Sequence, residues 1–195
     1  GTVADLAVKA TADAALDEVV RLPYVLHHRR VRPVPRVPAA SALWDGHMAK
    51  ADAPKVTVIV PTRNRLDLLR TCIDGLAHTD YPSMEVIVVD NGSDDPATLA
   101  YLAALDPARV RVLRDDGPFN FSRLNNRAAQ LATGELLCLL NNDIEVLSGD
   151  WLGIMASQAM RPEVGAVGAR LLYSDGRIQH AGVVLGICGG AAHAH

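Results

Sequence analysis

Short clusters of polar residues follow three apolar runs of the sequence, and their side chains can bind a phosphorylated ligand. The clusters are Thr62-Arg63-Asn64, Asp90-Asn91-Gly92-Ser93 and Asn141-Asn142-Asp143. Their amide and carboxylate oxygens can accept hydrogen bonds from a base and a ribose, and helix N-termini near them would favour phosphate. The carboxylate of Asp143 suits a divalent cation bound to a phosphate. The clusters therefore predict a site for a nucleotide diphosphate and a cation. The cluster that ends in Asp143 is equally compatible with a strand that simply turns into a polar loop.

The apolar run before each cluster is predicted to be a strand of one parallel sheet. Residues 136–140 are apolar at every position, which is typical of a strand buried on both faces. Residues 56–60 and 85–89 form mostly apolar runs of the same length, and residues 109–113 are predicted to form a further short strand. The carboxyl ends of parallel strands share one edge, where open α/β folds bind their ligands. The three clusters should therefore meet at that edge.

Helical patterns lie between the predicted strands. The first helix should begin after Asn64, which can cap it with Asp67 in a capping-box-like pair. Asp95 can cap the second helix, and the third should stop at Gly134. This alternation is typical of an α/β fold in which a mostly parallel, Rossmann-like sheet is flanked by helices.

The sequence predicts two regions of different composition. Residues 1–50 should form a helix and then a proline- and arginine-rich linker, which belongs to the tail of an upstream region. Residues 54–195 should form the α/β domain, in which residues 164–173 are a late strand that turns at Asp175-Gly176. The chain opens without methionine and its last residues are rich in glycine and alanine. We expect a fragment of a longer protein, with the domain truncated at its C-terminus.

Composition narrows the function classes. With 195 residues, 49% apolar and 21% charged, the chain resembles a soluble globular protein with one good-sized domain and an appendage. The net charge of −3 and the aromatic content of 4% argue against nucleic-acid binding. No apolar run reaches the roughly 20 residues of a membrane span. We therefore expect a cytoplasmic protein, and peripheral association of the parent with the inner membrane face stays open.

The cysteines argue against a metal or disulfide framework, and the loop after the first strand argues against two other classes of nucleotide-binding protein. Cys72, Cys138 and Cys188 fit no metal or disulfide framework and are predicted to be reduced thiols. No Gly-x-Gly-x-x-Gly or Gly-x-x-x-x-Gly-Lys-Ser/Thr motif follows the first strand, which argues against a dinucleotide fold and a P-loop kinase. A nucleotidyltransferase on a related sheet would need a glycine-rich loop and a lysine that Thr62-Arg63-Asn64-Arg65 does not supply. A degenerate, non-catalytic assembly domain remains an alternative.

Several motifs carry a family resemblance. The runs VTVIVPTRNR, YPSMEVIVVDNGSDDP and FNFSRLNNRAAQLATGELLCLLNNDIEV follow one another in this order. Together they resemble the donor-binding half of a family 2 glycosyltransferase, the inverting class with a GT-A fold. RPEVGAVGARLLYSDGRIQHAGVVLG is similar to a rhamnosyltransferase-like bacterial subgroup that builds cell-surface polysaccharides such as O-antigen. The resemblance covers roughly residues 55–195.

The resemblance implies roles for the residues of the three clusters and of one helix. Residues expected around the nucleotide are Pro61, Thr62, Asn64, Asp90, Asn91, Ser93, Arg123, Asn126 and Asn142. Asp90 would hydrogen-bond the base, usually uracil or thymine, and Asn142 would contact the ribose. Asp143 would bind Mg²⁺ or Mn²⁺ on the diphosphate, in the place of the family's Asp-x-Asp motif. Because that motif is Asn-Asn-Asp here, metal binding without nucleotide should be weak.

The resemblance also implies the reaction. A sugar would pass from a UDP- or dTDP-type donor to a saccharide or lipid-linked acceptor with inversion. The family's catalytic base is an Asp or Glu on the acceptor side, which we expect beyond His195, so no catalytic residue is named. This fragment is therefore expected to bind its donor poorly or unproductively, while its parent carries out the transfer. It should also self-associate through the apolar face that the rest of the parent would cover.

Overall fold

The computed structural model describes residues 52–162, 164–185 and 191–193. These residues belong to two compact units, one that ends at Ala156 and one that begins at Ser157. The helix and linker predicted for residues 1–50 lie outside the described residues, and the boundary at residue 54 stays a prediction.

The first unit is built on a four-stranded sheet. Its strands are β1 (Val56–Thr62), β2 (Met84–Asp90), β3 (Val110–Arg114) and β4 (Leu136–Leu139). They lie in the order β3-β2-β1-β4, and every neighbouring pair is parallel. The predicted α/β fold with a mostly parallel sheet is confirmed.

Four helices follow strands β1 to β4 in turn. They are α1 (Leu66–Ala77), α2 (Pro96–Ala104), α3 (Phe121–Ala129) and α4 (Trp151–Ala159). The side chain of Asp95 accepts from the amide of Thr98, so Asp95 caps α2 as predicted. No helix of the described residues is long and apolar enough to cross a membrane.

Alternate residues of the central strands face two separate apolar cores, as the two-residue period of a strand requires. Val58, Val60 and Val88 pack on one face with residues of α1, α2 and α4. Ile59 and Ile87 pack on the other face with Leu124 and Ala128 of α3. Because helices cover both faces, nearly every residue of β1 is buried, and the carboxyl edge of the sheet is held at a fixed position.

The two strands that flank the first cluster differ from their predictions. β1 continues through Pro61, although Pro61 was not expected to belong to the strand. The backbone nitrogen of Pro61 is on the side of β4, where strand pairing ends at Ile59. The sheet therefore loses no hydrogen bond because proline lacks an N–H. β4 has a neighbour on one side only within the described sheet. Only Cys138 of β4 is buried, so the prediction of a strand buried on both faces is wrong for the rest of it.

Gly134 does not end a helix. α3 stops at Ala129, and Gly134 is not among the residues with positive φ. A Cβ at this position would lie 2.6 Å from the backbone nitrogen of Thr57. The glycine therefore permits a close approach of two backbones just before β4 begins, which the sequence does not distinguish from a helix stop.

The second unit contains short hairpins. β5 (Leu171–Leu172) pairs antiparallel with β6 (Ile178–His180), and Gly176 has a φ of 84° in the turn, as predicted. The strand predicted for residues 164–173 is confined to β5, because the glycines in this segment disfavour an extended pairing. β7 (Val183–Leu185) pairs with β8 (Ala191–His193).

The cysteines within the described residues behave as predicted. Cys72 and Cys138 are free and buried. Burial raises the pKa of each thiol to about 12, so both are protonated at neutral pH. Cys188 lies outside the described residues.

Candidate functional site

The three polar clusters meet at the carboxyl edge of the sheet. Thr62 pairs with Asp90 at the ends of β1 and β2. The side-chain amide of Asn142 donates to the hydroxyl of Thr62 over 2.9 Å. The backbone amide of Asn64 donates to the hydroxyl of Ser93 over 2.8 Å. These bonds join the ends of three strands into one surface, as the parallel arrangement predicts.

A cavity of about 310 Å³ opens at this surface. The predicted residues that line it are Pro61, Thr62, Asn91, Asn142 and Asp143. The predicted residues that do not line it are Asn64, Asp90, Ser93, Arg123 and Asn126. The cavity therefore brings together one part of the predicted nucleotide site, and the other part surrounds or supports it.

Asp143 presents an exposed carboxylate on the cavity wall beside Asn142. One N–H of the Asn142 amide donates to Thr62, and the amide oxygen is available to a ligand. Carboxylate and amide oxygens are the hard donors that Mg²⁺ and Mn²⁺ accept. Within the described residues no three carboxylate, imidazole or thiol groups gather into a metal site. The residues fit a cation that takes its other ligands from phosphate and water.

Asp90 lies behind the cavity instead of on its wall. The residue is 2% exposed. One carboxylate oxygen accepts from the backbone amide of Ser93 over 3.0 Å, and the other pairs with the guanidinium of Arg114. Both oxygens thus have protein partners, and Asp90 shapes the loop that presents the neighbouring Asn91.

The prediction that Asn64 caps α1 is wrong. The residue before α1 is Arg65, which makes no side-chain cap bond. The side-chain oxygen of Asn64 instead accepts from the backbone amides of Asp94 and Asp95, each over 3.0 Å. Asn64 has a φ of 52°, a left-handed conformation that asparagine tolerates better than most residues. Its amide ties the loop after β1 to the loop after β2, which the local capping pattern does not reveal.

Sequence reasoning missed a buried carboxylate in the loop after β3. Asp115 is 2% exposed, and its carboxylate accepts from Arg123 and Arg127 over 2.9 and 2.8 Å. The hydrogen bond from Arg127 lowers the pKa of Asp115 to about 2, with help from Gly117 and Arg123 and against the effect of burial. Arg123 and Arg127 lie one turn apart on α3. This spacing is visible in the sequence and could have indicated a shared acidic partner.

The same loop determines how Asn91 faces the cavity. The side-chain nitrogen of Asn91 donates to the carbonyls of Asp115 and Gly117 over 3.0 and 2.8 Å. This leaves the side-chain oxygen of Asn91 buried and bonded to no protein atom, in a residue that lines the cavity. Arg123 is engaged with Asp115, and Asn126 is exposed on α3.

Other cavity residues were not predicted as site residues. Phe119 and Phe121 contribute exposed rings, and Arg63 and Arg65 contribute guanidinium groups. Phe119 stands two residues before α3, and Phe121 is the first residue of that helix. Their exposure is visible only once the loop is folded.

Residues 57–182 match the family described as Glycosyl transferase family 2. The chain belongs to this family. The O-antigen biosynthesis protein RfbC of Myxococcus xanthus is 52% identical over 141 residues, which are 72% of this chain and 11% of that protein. The GalNAc(5)-diNAcBac-PP-undecaprenol beta-1,3-glucosyltransferase of Campylobacter jejuni is 31% identical over 127 residues, 64% of this chain and 41% of that enzyme. This family 2 chain therefore spans less than half the length of these relatives.

A solved structure of a mannosyltransferase confirms the fold. The mannosyltransferase PcManGT of Pyrobaculum calidifontis, in complex with GDP-Man and Mn²⁺, superposes with a TM-score of 0.55 and 29% identity. The match covers 62% of this chain and 36% of that one. The predicted resemblance to family 2 glycosyltransferases and the predicted GT-A fold are both confirmed.

Proposed function

We propose that this family 2 domain binds the nucleotide-sugar donor of a glycosyltransferase that makes a bacterial surface polysaccharide. The observation that carries the proposal is the convergence of Thr62, Asn91, Asn142 and Asp143 on one cavity at the carboxyl edge of the sheet. The name of the Myxococcus relative supports a role in O-antigen or similar polysaccharide synthesis. The name of the Campylobacter relative supports a saccharide or lipid-linked acceptor.

The order of the strands gives the donor a direction. Asn91 follows β2, Thr62 ends β1, and Asp143 follows β4, so these residues lie in that order along the edge. Neighbouring strands are about 4.8 Å apart, so the ends of β2 and β4, on either side of β1, are roughly 10 Å apart. That distance suits a nucleoside diphosphate. The base, of uracil or thymine type, would lie near Asn91, the ribose near Asn142 and the diphosphate near Asp143.

The donor site fits a divalent cation, Mg²⁺ or Mn²⁺. Asp143 would hold it with a single carboxylate, and the donor phosphates would complete its coordination. A bound cation would stabilise the negative charge of the departing diphosphate. The Mn²⁺ in the PcManGT complex supports this assignment.

The proposed reaction is a direct displacement with inversion. An acceptor hydroxyl attacks the anomeric carbon, the bond from that carbon to the diphosphate oxygen breaks, and the hydroxyl proton passes to a carboxylate base. No residue of the described part is assigned as that base. The residues around the cavity bind and orient the donor, and they hold the diphosphate where its charge develops.

A panel of thermal unfolding measurements tests the proposal. The chain is heated with UDP, dTDP, GDP or CMP, each with and without Mn²⁺ or Mg²⁺. A ligand that binds only the folded state raises its stability, by about 2.7 kcal/mol at one hundred times Kd. We expect a metal-dependent rise in the melting temperature with UDP or dTDP. GDP belongs in the panel because PcManGT carries GDP-Man.

Asp143→Ala should abolish the metal-dependent part of this rise. The matched control is Glu145→Ala, because Glu145 is an exposed carboxylate in the same loop that does not line the cavity. Equal metal-dependent shifts in the wild type and Asp143→Ala would show that the metal assignment is wrong. A wild-type chain that binds no nucleotide would contradict the proposal and favour a non-catalytic assembly domain.

A further inference from the structure

Both phenylalanines of the chain line the cavity with exposed rings. The sequence contains two phenylalanines, Phe119 and Phe121, and they are 69% and 44% exposed. Most of the other large apolar residues near the sheet pack into its two cores. A phenyl ring on the wall of a cavity stays in contact with water until a ligand covers it, and flat apolar ligand groups gain most from that contact.

The loop that carries Phe119 is held in place before any ligand binds. Asn91 donates to the carbonyl of Gly117 over 2.8 Å, and Arg123 donates to the carbonyl of Pro118 over 2.7 Å. Immediately after Phe119, the side chain of Asn120 caps α3 by accepting from the amide of Arg123 over 2.9 Å. The backbone on both sides of Phe119 is thus anchored. A wall fixed in advance loses little conformational entropy when a ligand binds.

The position of this loop indicates which part of a ligand the rings would meet. Asn91 bonds directly to the loop before Phe119, so this loop lies at the Asn91 end of the cavity. The carboxylate of Asp143 follows β4, on the far side of β1 from that end. In the proposed orientation of the donor, the Asn91 end takes the base. Aromatic side chains stack on nucleobases whatever their identity, because every base has a π-face.

We propose that Phe119, together with Phe121, forms the stacking face for the nucleobase of the donor. This inference rests on the proposed function and adds the residues that would contact the face of the base. Hydrogen-bonding groups at the Asn91 end would select among bases, whereas the rings would strengthen the binding of any of them. The rings make no contribution to the binding of the diphosphate.

Isothermal titration of the full chain with Mn²⁺ tests this assignment. The titrants are UDP, dTDP and GDP, which carry a base, and inorganic pyrophosphate, which does not. Phe119→Ala should weaken binding of the nucleotides about 5- to 150-fold, the usual loss for one base–aromatic stack, and leave pyrophosphate binding unchanged. The control is Leu131→Ala, which removes an exposed apolar side chain outside the cavity and should change neither affinity.

Phe119→Trp gives an independent readout. The larger ring should keep nucleotide affinity within a few fold, and nucleotides but not pyrophosphate should quench the fluorescence that the substitution adds. Nucleotide affinity of Phe119→Ala equal to that of the wild type overturns the stacking role and leaves the proposed function intact. An equal loss of nucleotide and pyrophosphate binding also overturns it, because the ring would then only support the site. A wild-type chain that binds pyrophosphate but no nucleotide overturns both proposals.

Discussion

The carboxylate of Asp115 is buried at the start of the loop that leads to Phe119, where two arginines of α3 pair with it. The backbone carbonyl of Asp115 also accepts a hydrogen bond from the side chain of Asn91. One residue therefore fixes both the loop and a side chain that lines the cavity. Such a residue touches no ligand in the proposed site, yet the shape of the site depends on it.

Acid should release this carboxylate. The pKa of Asp115 is lowered to about 2 in the folded chain, below the value near 3.9 of an unperturbed aspartate. Its contribution to stability is therefore complete above about pH 4 and is lost as the pH falls towards 2. Asp115→Asn should lower the melting temperature at pH 7 by several degrees and reduce the loss of stability between pH 4 and pH 2. Calorimetry across this pH range measures both effects.

The adjacent Asp116 provides the control. Its side chain is 72% exposed and pairs with Arg114 at the surface, so Asp116→Asn should change the melting temperature little. If Asp115→Asn and Asp116→Asn unfold at the same temperature, the buried carboxylate does not hold the loop.

The clusters of the site could be predicted from the sequence, whereas the partners of their side chains could not. Thr62, Asn91 and Asp143 reach the cavity because the parallel sheet brings strand ends together. Asn64 and Asp90 were expected to face the ligand, but they bond to groups 24 to 31 residues away. Local sequence patterns do not specify such distant partners, because which groups a side chain bonds to is determined only when the loops pack.

At the level of elements, the approach of β4 to β1 depends on Gly134. The amide of Gly134 donates to the hydroxyl of Thr57 over 2.9 Å. A Cβ on Gly134 would lie 2.6 Å from the Thr57 nitrogen and 2.9 Å from the carbonyl oxygen of Leu136. Gly134→Ala should therefore lower the free energy of unfolding by about 1–3 kcal/mol, the range for an overpacked site. Denaturant titration measures the loss as a lower midpoint.

Gly153→Ala is the matched control for this substitution. Gly153 lies inside α4, and a Cβ there would meet its nearest atom at 4.0 Å. The exchange should be neutral or stabilising by up to about 1 kcal/mol, because alanine is the better helix former. A midpoint for Gly134→Ala at or above that of Gly153→Ala would contradict the role assigned to the close approach.

The four strands of the parallel sheet were predicted within a residue or two, whereas the strand predicted for residues 164–173 is confined to β5. The ends of helices were harder to predict. Asp95 and Pro96 start α2 as expected, because a cap and a proline act locally. Gly134 carries the same local signal as a helix stop, yet it serves a contact with Thr57, 77 residues away. The sequence shows a glycine at position 134, but it does not show whether that glycine ends a helix or allows a close contact between two strands.

For the whole molecule, the exposed apolar surface predicts self-association. β3 and β4 each have one neighbour in the described sheet, and unpaired strand edges favour pairing between chains. Leu147 is 77% exposed in the loop after β4. We expect the sedimentation coefficient of the chain to rise with concentration in velocity runs. A constant value for a monomer over the whole range would rule out this prediction.

The strand order also has a consequence for synthesis on the ribosome. Thr62 at the end of β1 and Asn142 after β4 bond in the folded chain but are 80 residues apart. At about 5–20 residues per second, roughly 4–16 s separate their emergence during translation. Once β2 has emerged, β1 can pair with it, while the other side of β1 lacks the partner that completes the sheet until β4 follows. The unpaired side of β1 is thus open to aggregation during synthesis, and slower translation between β2 and β4 would lengthen that exposure.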